Sequence, residues 1–432
     1  MRESMGMESA DPVREKPLEP RSREARIPLR TLWVLLALAV LPWIVFVLHL
    51  RGDLREIRHG PRPEPGIRQG AWGRLRVTDL AIAPANVIVP GQPGQPLSTI
   101  WLFEGSTPAA LQGLFRSLKL PAPLLARLND TNRWEVGSGA IRVQPDDETV
   151  LALDPEARIR LYAVLGAFPA NAVHFQPWSM KTSMFEARLE GAGFRDDTRR
   201  LLRGLAYVRG GRTFFSDVPV LLNRLADPEQ QRQAIRLLNS ASTYQVHLEV
   251  PPDADTDAIA SYWSYQGRRK DLKPILESLA QLPAGGELDI AHMLPAFARQ
   301  RLYIYPSPVL ARDGVRRDCH WTSLNFFSLV PDNRFGNSED ATRHILADYY
   351  RTGETPRFGD LALFTLPEGD CVHSAVYLAG GLAFTKNGDG LDQPWIIMDV
   401  EDLRELYSYY QHANISVQYW REKEPEPGGT GP

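Results

Sequence analysis

Residues 371–387 read CVHSAVYLAGGLAFTKN. Cys371, His373 and Ala375 fall on one face of a strand with a period of two, and Gly380-Gly381 can take the positive φ angles of a hairpin turn. Leu382–Asn387 then returns as the next strand, with Thr385 and Asn387 pointing to one side. Upstream, the turn Pro356–Asp360 leads into an apolar strand, Leu361–Leu366, and the acidic turn Pro367–Asp370 connects it to the histidine strand. Further upstream, Arg317-Asp318-Cys319 precedes HWTSLNFFSLV, in which Trp321, Leu324, Phe327 and Ser328 follow helical spacing, and Asp318 is a good N-cap. Cys319 therefore begins a helix, where unpaired N–H groups and the helix dipole favour the thiolate. A cysteine at a helix start, a histidine on a strand and a polar residue on the next strand make a nucleophile, a base and an orienter.

These pieces resemble the NlpC-type cell-wall cysteine peptidases, a bacterial papain-like superfamily. The resemblance rests on Asp318-Cys319 opening a helix, the turn Phe358-Gly359-Asp360-Leu361 into a strand, and the strand His373 to Leu378 before a glycine turn. The 54-residue separation of Cys319 from His373 also suits that family, and the match covers about residues 301–420. It implies a helix bearing the cysteine packed on an antiparallel sheet bearing the histidine. The implied activity is amide hydrolysis in peptidoglycan, commonly at a link involving a D-amino acid, with Cys319 attacking the carbonyl and His373 taking the thiol proton. Two departures stand out. The family usually has a small residue such as serine after the cysteine, where this chain has His320-Trp321. The third polar residue, commonly His, Asn or Gln about twelve positions after the base, falls here on Thr385, with Asn387 two further along. Asn387 is the preferred orienter, on the Nδ1 side of His373, because an amide accepts that N–H more predictably than a rotating hydroxyl; Thr385 is the alternative. Trp321, Tyr303 and Tyr305 are candidates to line the cleft, although aromatics near a helix start are more often plain core.

The chain has only two cysteines, too few for a disulfide framework or a four-cysteine zinc site. Outside the cytoplasm, Cys319 and Cys371 are a possible disulfide, which would stabilise by about 4 kcal/mol in the chain-entropy model. Two further function classes follow: a non-catalytic protein that binds cell-wall peptide or a partner, and a cysteine amidase or acyltransferase acting on another substrate.

The remainder bounds the answer. The chain has 432 residues, 43% hydrophobic and 23% charged, with 49 Lys+Arg against 52 Asp+Glu, so it is largely a water-folding protein with no basic excess for nucleic acid. No phosphate-binding loop, H-E-x-x-H pair or acidic calcium loop occurs, and no cofactor or metal is implied. Residues 1–30 read as a disordered cytoplasmic leader. Residues 31–50, TLWVLLALAVLPWIVFVLHL, lack Asp, Glu, Lys and Arg and match a membrane-spanning helix about 30 Å long. Six Lys/Arg in residues 11–30 against five in residues 51–70 leave the orientation nearly tied, so a cytoplasmic N-terminus is inferred from the position of the foldable chain. The expectation is a single-pass bacterial inner-membrane protein with periplasmic or extracellular C-terminal domains. Residues 51–70 read as a linker and 421–432 as a disordered tail. Residues 71–300 read as a mixed α+β domain without a motif that carries chemistry, and 301–420 as the NlpC-like domain.

Overall fold

The computed structural model describes residues 66–84, 89–90, 95–264 and 268–424. These belong to one compact unit, an α+β architecture in which helices pack on four antiparallel sheets. A four-stranded sheet has the order Ile67–Gly70, Gly73–Ile82, Ala241–Val250 and Gly286–Asp289. Its two long strands pair from Arg74↔Glu249 to Ile82↔Ala241. Leu75 and Val77 face inward with Tyr244, Val246, Leu248 and Val250, the period-two pattern of strands buried on one face. Since these partners are far apart in sequence, the chain between them is an excursion with its own core, built on two three-stranded sheets and helices around Trp101, Phe115, Tyr162, Phe185 and Phe214. There the buried Arg158 guanidinium pairs with Asp217 and donates to the Tyr162 hydroxyl at 3.0 Å and the Val150 carbonyl at 3.1 Å.

The six-stranded sheet that carries the histidine has the order Tyr349–Arg351, Ser416–Glu422, Leu361–Thr365, Cys371–Ala379, Leu382–Lys386 and Trp395–Asp399. Gly380 and Gly381, at φ 57° and 85°, make the hairpin turn. Alternation divides this sheet cleanly. Leu361, Leu363, Val376, Leu378, Phe384 and Ile397 face a core that includes Trp321 and Leu324 of the cysteine helix. Ala362, Phe364, Ala375, Tyr377, Ala383 and Met398 face the helix Val400–Gln411.

The first of these cores does not stop at residue 300. It contains Val246, Leu248, Leu294 and Phe297 as well as Val376 and Phe384, so the four-stranded and six-stranded sheets share one interior. Polar ties reinforce the junction. Thr243 Oγ1 donates to the Ile397 carbonyl and accepts from its N–H, each at 3.0 Å. Arg68 makes a buried ion pair with Asp399, at the end of Trp395–Asp399, at 3.0 Å, and donates to the Gly380 carbonyl of the hairpin turn at 2.6 Å.

Three expectations are corrected. Among the described residues no helix is long and apolar enough to cross a membrane, so neither the single transmembrane helix nor the single-pass inner-membrane localisation is supported; residues 31–50, like the 1–30 leader, lie outside the described residues. The segment 51–70 is not all linker: Ile67–Gly70 is a strand, because Arg68 has a buried partner and Gly70-Gly73 can close a tight hairpin. The tail begins later than 421, since Arg421 and Glu422 end an inner strand paired with Tyr349–Arg351 on one side and Leu361–Thr365 on the other.

Arg68→Met leaves the Asp399 carboxylate buried without its cation, and is expected to cost about 3–5 kcal/mol in urea unfolding. A fragment beginning at residue 301 is expected to show no cooperative thermal transition in near-ultraviolet circular dichroism, because half of its core stays behind; a sharp transition would refute the shared interior.

Candidate active site

The cysteine helix is short, Cys319–Leu324, and its ends are held by side chains. At the start the Asp318 carboxylate accepts the Trp321 N–H at 3.0 Å, as an N-cap does. At the end Asn325 stops the expected longer helix by donating to the carbonyls of Trp321 (2.9 Å) and Asp332 (3.1 Å) and accepting the Asp332 N–H at 2.6 Å. The chain is thereby folded back, and Phe327, the third apolar residue of the expected periodicity, packs against the Phe358-Gly359 turn instead. That turn needs its glycine: φ is 97°, and a Cβ would lie 2.6 Å from the Phe327 ring. Asp360, next in the turn, is buried and accepts two hydrogen bonds from Arg421, at 2.9 and 2.8 Å.

His373 lies on the face opposite the cysteine helix. It is fully buried, stacked on Tyr407 of the Val400–Gln411 helix with ring centroids 4.2 Å apart and planes at 19°, and flanked by Phe364 at 5.3 Å. Its Nε2 meets Thr385 Oγ1 at 2.8 Å, and its Nδ1 has no hydrogen-bond partner among the described residues. The two faces meet at an edge. Pairing with Leu382–Lys386 begins only at Val376, so residues 371–375 are left open on that side. There the backbone N–H groups of Ser374 and His320 favour the thiolate form of Cys319.

Burial dominates the electrostatics. It pushes the Cys319 thiol up to about 12, with Asp318 adding to the shift, against the smaller opposing pull of the two amides. It holds His373 well below its usual range, and the His320 ring adds to that. Tyr407 is raised too, first by burial and then by the charge of a Cys319 thiolate. Lys386, buried beyond Thr385, donates to the carbonyls of Gly388 (2.6 Å) and Gly390 (3.0 Å), and burial lowers it to about 8.

The structure thus brings His373 and Thr385 together and places the helix of Cys319 against Ser374, the residue after His373, and it places the other sequence candidates elsewhere. Asn387 donates to the Met398 sulfur at 3.1 Å instead of holding His373, so the threonine is the residue on the ring. Trp321 is core, 5.2 Å from the Phe297 ring, and Tyr303 and Tyr305 donate to the carbonyls of Tyr244 (2.6 Å) and Ile82 (2.9 Å), pinning the connection between sheets rather than lining a cleft. Both cysteines are free thiols, with Cys371 Sγ donating to the His373 carbonyl at 3.2 Å, so the possible disulfide is not formed. Sequence reasoning missed Tyr407, Ser374 and the contribution of His320. The helix that carries Tyr407 had a signal, the Asp399 cap followed by Val400, Leu403, Leu406 and Tyr407 at helical spacing. No group of residues able to hold a metal ion occurs among the described residues. No family model, curated protein or solved structure matches this chain.

The buried histidines make stability depend on pH. In the folded protein His373 is held well below 6.5 and His174 at about 3, both by burial. Below about pH 6.5 the unfolded chain takes up protons that the folded one refuses. Stability is therefore complete above that pH and falls below it, by up to ~1.4 kcal/mol per pH unit for each histidine. Urea unfolding across this range should show the slope, and His373→Phe should reduce it by up to one histidine's share. An unchanged slope would show that His373 is charged when folded.

Proposed function

We propose that this chain is a thiol-dependent amide hydrolase in which Cys319 is the nucleophile, His373 the base and Thr385 the residue that orients the base, with peptidoglycan peptides as the substrate class. The observation that carries the reading is the asymmetry of His373. Thr385 occupies Nε2, and Nδ1 is left without a partner among the described residues, on the residue next to Ser374, which is hydrogen-bonded to the cysteine helix. With Thr385 Oγ1 accepting from Nε2–H, Nδ1 is the acceptor lone pair a base requires. The thiol proton passes to Nδ1, the sulfur attacks the carbonyl carbon, and the Cys319 N–H at the helix start stabilises the oxyanion. The proton is then returned to the leaving amine, and water hydrolyses the thioester. The substrate class rests on the likeness of Asp318-Cys319, Phe358–Leu361 and His373–Leu378 to the NlpC-type peptidases.

One observation favours a second reading, a non-catalytic protein that binds a cell-wall peptide or a partner: the resting thiol is held neutral and Tyr407 covers His373. Chemistry separates the two. Iodoacetamide should alkylate Cys319 in the wild type, faster in Tyr407→Ala and more slowly in His373→Ala. Purified peptidoglycan should release amino groups with the wild type, and Cys319→Ala should lose at least about a thousandfold of that rate. An inert thiol, together with digestion indifferent to Cys319→Ala, would refute the hydrolase and leave the binding protein.

A further inference from the structure

The helix and the histidine strand are joined by a second polar chain that the catalytic reading does not use. His320 Nδ1 is 3.0 Å from Ser374 Oγ, Ser374 Oγ is 3.1 Å from Ser323 Oγ, and Ser323 Oγ is 2.8 Å from the Cys319 carbonyl oxygen. Both serines are buried. We propose that His320, Ser374 and Ser323 form a hydrogen-bonded clasp that positions Cys319, with His320 acting as a donor through Nδ1–H. This deepens the hydrolase reading and rests on it.

The proton order follows from one end of the chain. A carbonyl oxygen only accepts, so the Ser323 hydroxyl donates to Cys319. Ser323 Oγ then accepts from the Ser374 hydroxyl, and Ser374 Oγ accepts from His320 Nδ1–H. The reverse order would leave the Ser323–Cys319 contact without a hydrogen in a buried place, where an unmade bond is costly. The two histidines are thereby set to opposite tasks, His373 accepting at Nδ1 and His320 donating at Nδ1.

The geometry gives the clasp its purpose. Residues 320 and 323 share one side of the helix at a spacing of three, and both grip the side chain of Ser374, the residue after His373 on its strand. A strand residue held at two points by the helix cannot slide along it. The position of the thiol against the His373 strand is then set by side chains as well as by the apolar packing beneath. Protonation of His320 would add a hydrogen at Nε2 and leave the Nδ1–H in place, so the clasp does not depend on that charge.

Asparagine and glutamine distinguish the two ring nitrogens: the Asn side-chain N–H lies where Nδ1–H was, and that of Gln reaches the Nε2 position. The test measures kcat and KM on soluble peptidoglycan fragments and, separately, the rate of Cys319 alkylation by iodoacetamide, with melting temperatures as a control for folding. His320→Asn should keep kcat within about threefold of the wild type. His320→Gln and Ser374→Ala should lose about 10- to 100-fold in kcat at unchanged KM, as small misplacements of a reacting group do. Alkylation should follow the same ranking. Equal losses in His320→Asn and His320→Gln, or no loss in either, would overturn the clasp. If the wild type hydrolyses nothing while the alkylation ranking holds, the hydrolase reading fails and the clasp stands.

Discussion

The site depends on a constraint of β-structure: consecutive residues of a strand face opposite ways. In Cys371–Ala379 this sends His373 into the layer beneath the Val400–Gln411 helix and Ser374 toward the cysteine helix. The Cys319 thiol and the His373 imidazole therefore belong to opposite faces of the sheet. The neighbouring strand begins pairing only at Val376, which leaves the start of Cys371–Ala379 without a backbone partner on that side, and the cysteine helix docks there through Ser323 and His320 on Ser374. Any change that zips the hairpin further, or slides the helix by one residue, would alter that edge.

That dependence spreads through the molecule. The cysteine helix is only six residues long and cannot hold itself; it is placed by Trp321 and Leu324 in a core that runs on to Val246 and Leu248 of the four-stranded sheet. On the other face, the helix that brings Tyr407 is capped by Asp399, whose carboxylate accepts the Glu401 N–H at 2.9 Å and is also the partner of Arg68. The long region before residue 300, where no motif could be read, therefore contributes by packing and by charge to a site it does not enter.

This explains what could be read from the chain and what could not. The hairpin, its glycine turn and the capped start of the cysteine helix are local events, written in alternation at 371–387 and in Asp318, and they are where a sequence reading succeeds. The choice between Thr385 and Asn387 was not local. Alternation alone puts both on one face, but the strand ends at Lys386: Thr385 stays in it beside His373, while Asn387 lies just past its end, where the Met398 sulfur takes the asparagine amide. Cleft lining was misread for a similar reason: Trp321, Tyr303 and Tyr305 are amphipathic residues at a junction between two sheets, and their polar ends found carbonyls there. Ser323 and Ser374 carry no sequence signal of their own, since a buried serine pair is defined only by the contact.

The closed state of the site bears on how it would open. Burial holds the Cys319 thiol and the His373 imidazole neutral, and exposing the imidazole requires the cover to be displaced. Moving the covering helix would break the Arg68–Asp399 pair and the bonds of Asp402, which accepts from Lys181 at 2.9 Å and from the Tyr244 hydroxyl at 3.2 Å. Rotating the Tyr407 side chain alone gives up a ring stack, an interaction of about 0.5–1.5 kcal/mol beyond the area it buries. The second cost is much the smaller, since several buried charged contacts exceed one stack. The firmly held helix and the lightly held ring thus favour access to His373 by a swing of the Tyr407 side chain rather than by movement of the helix.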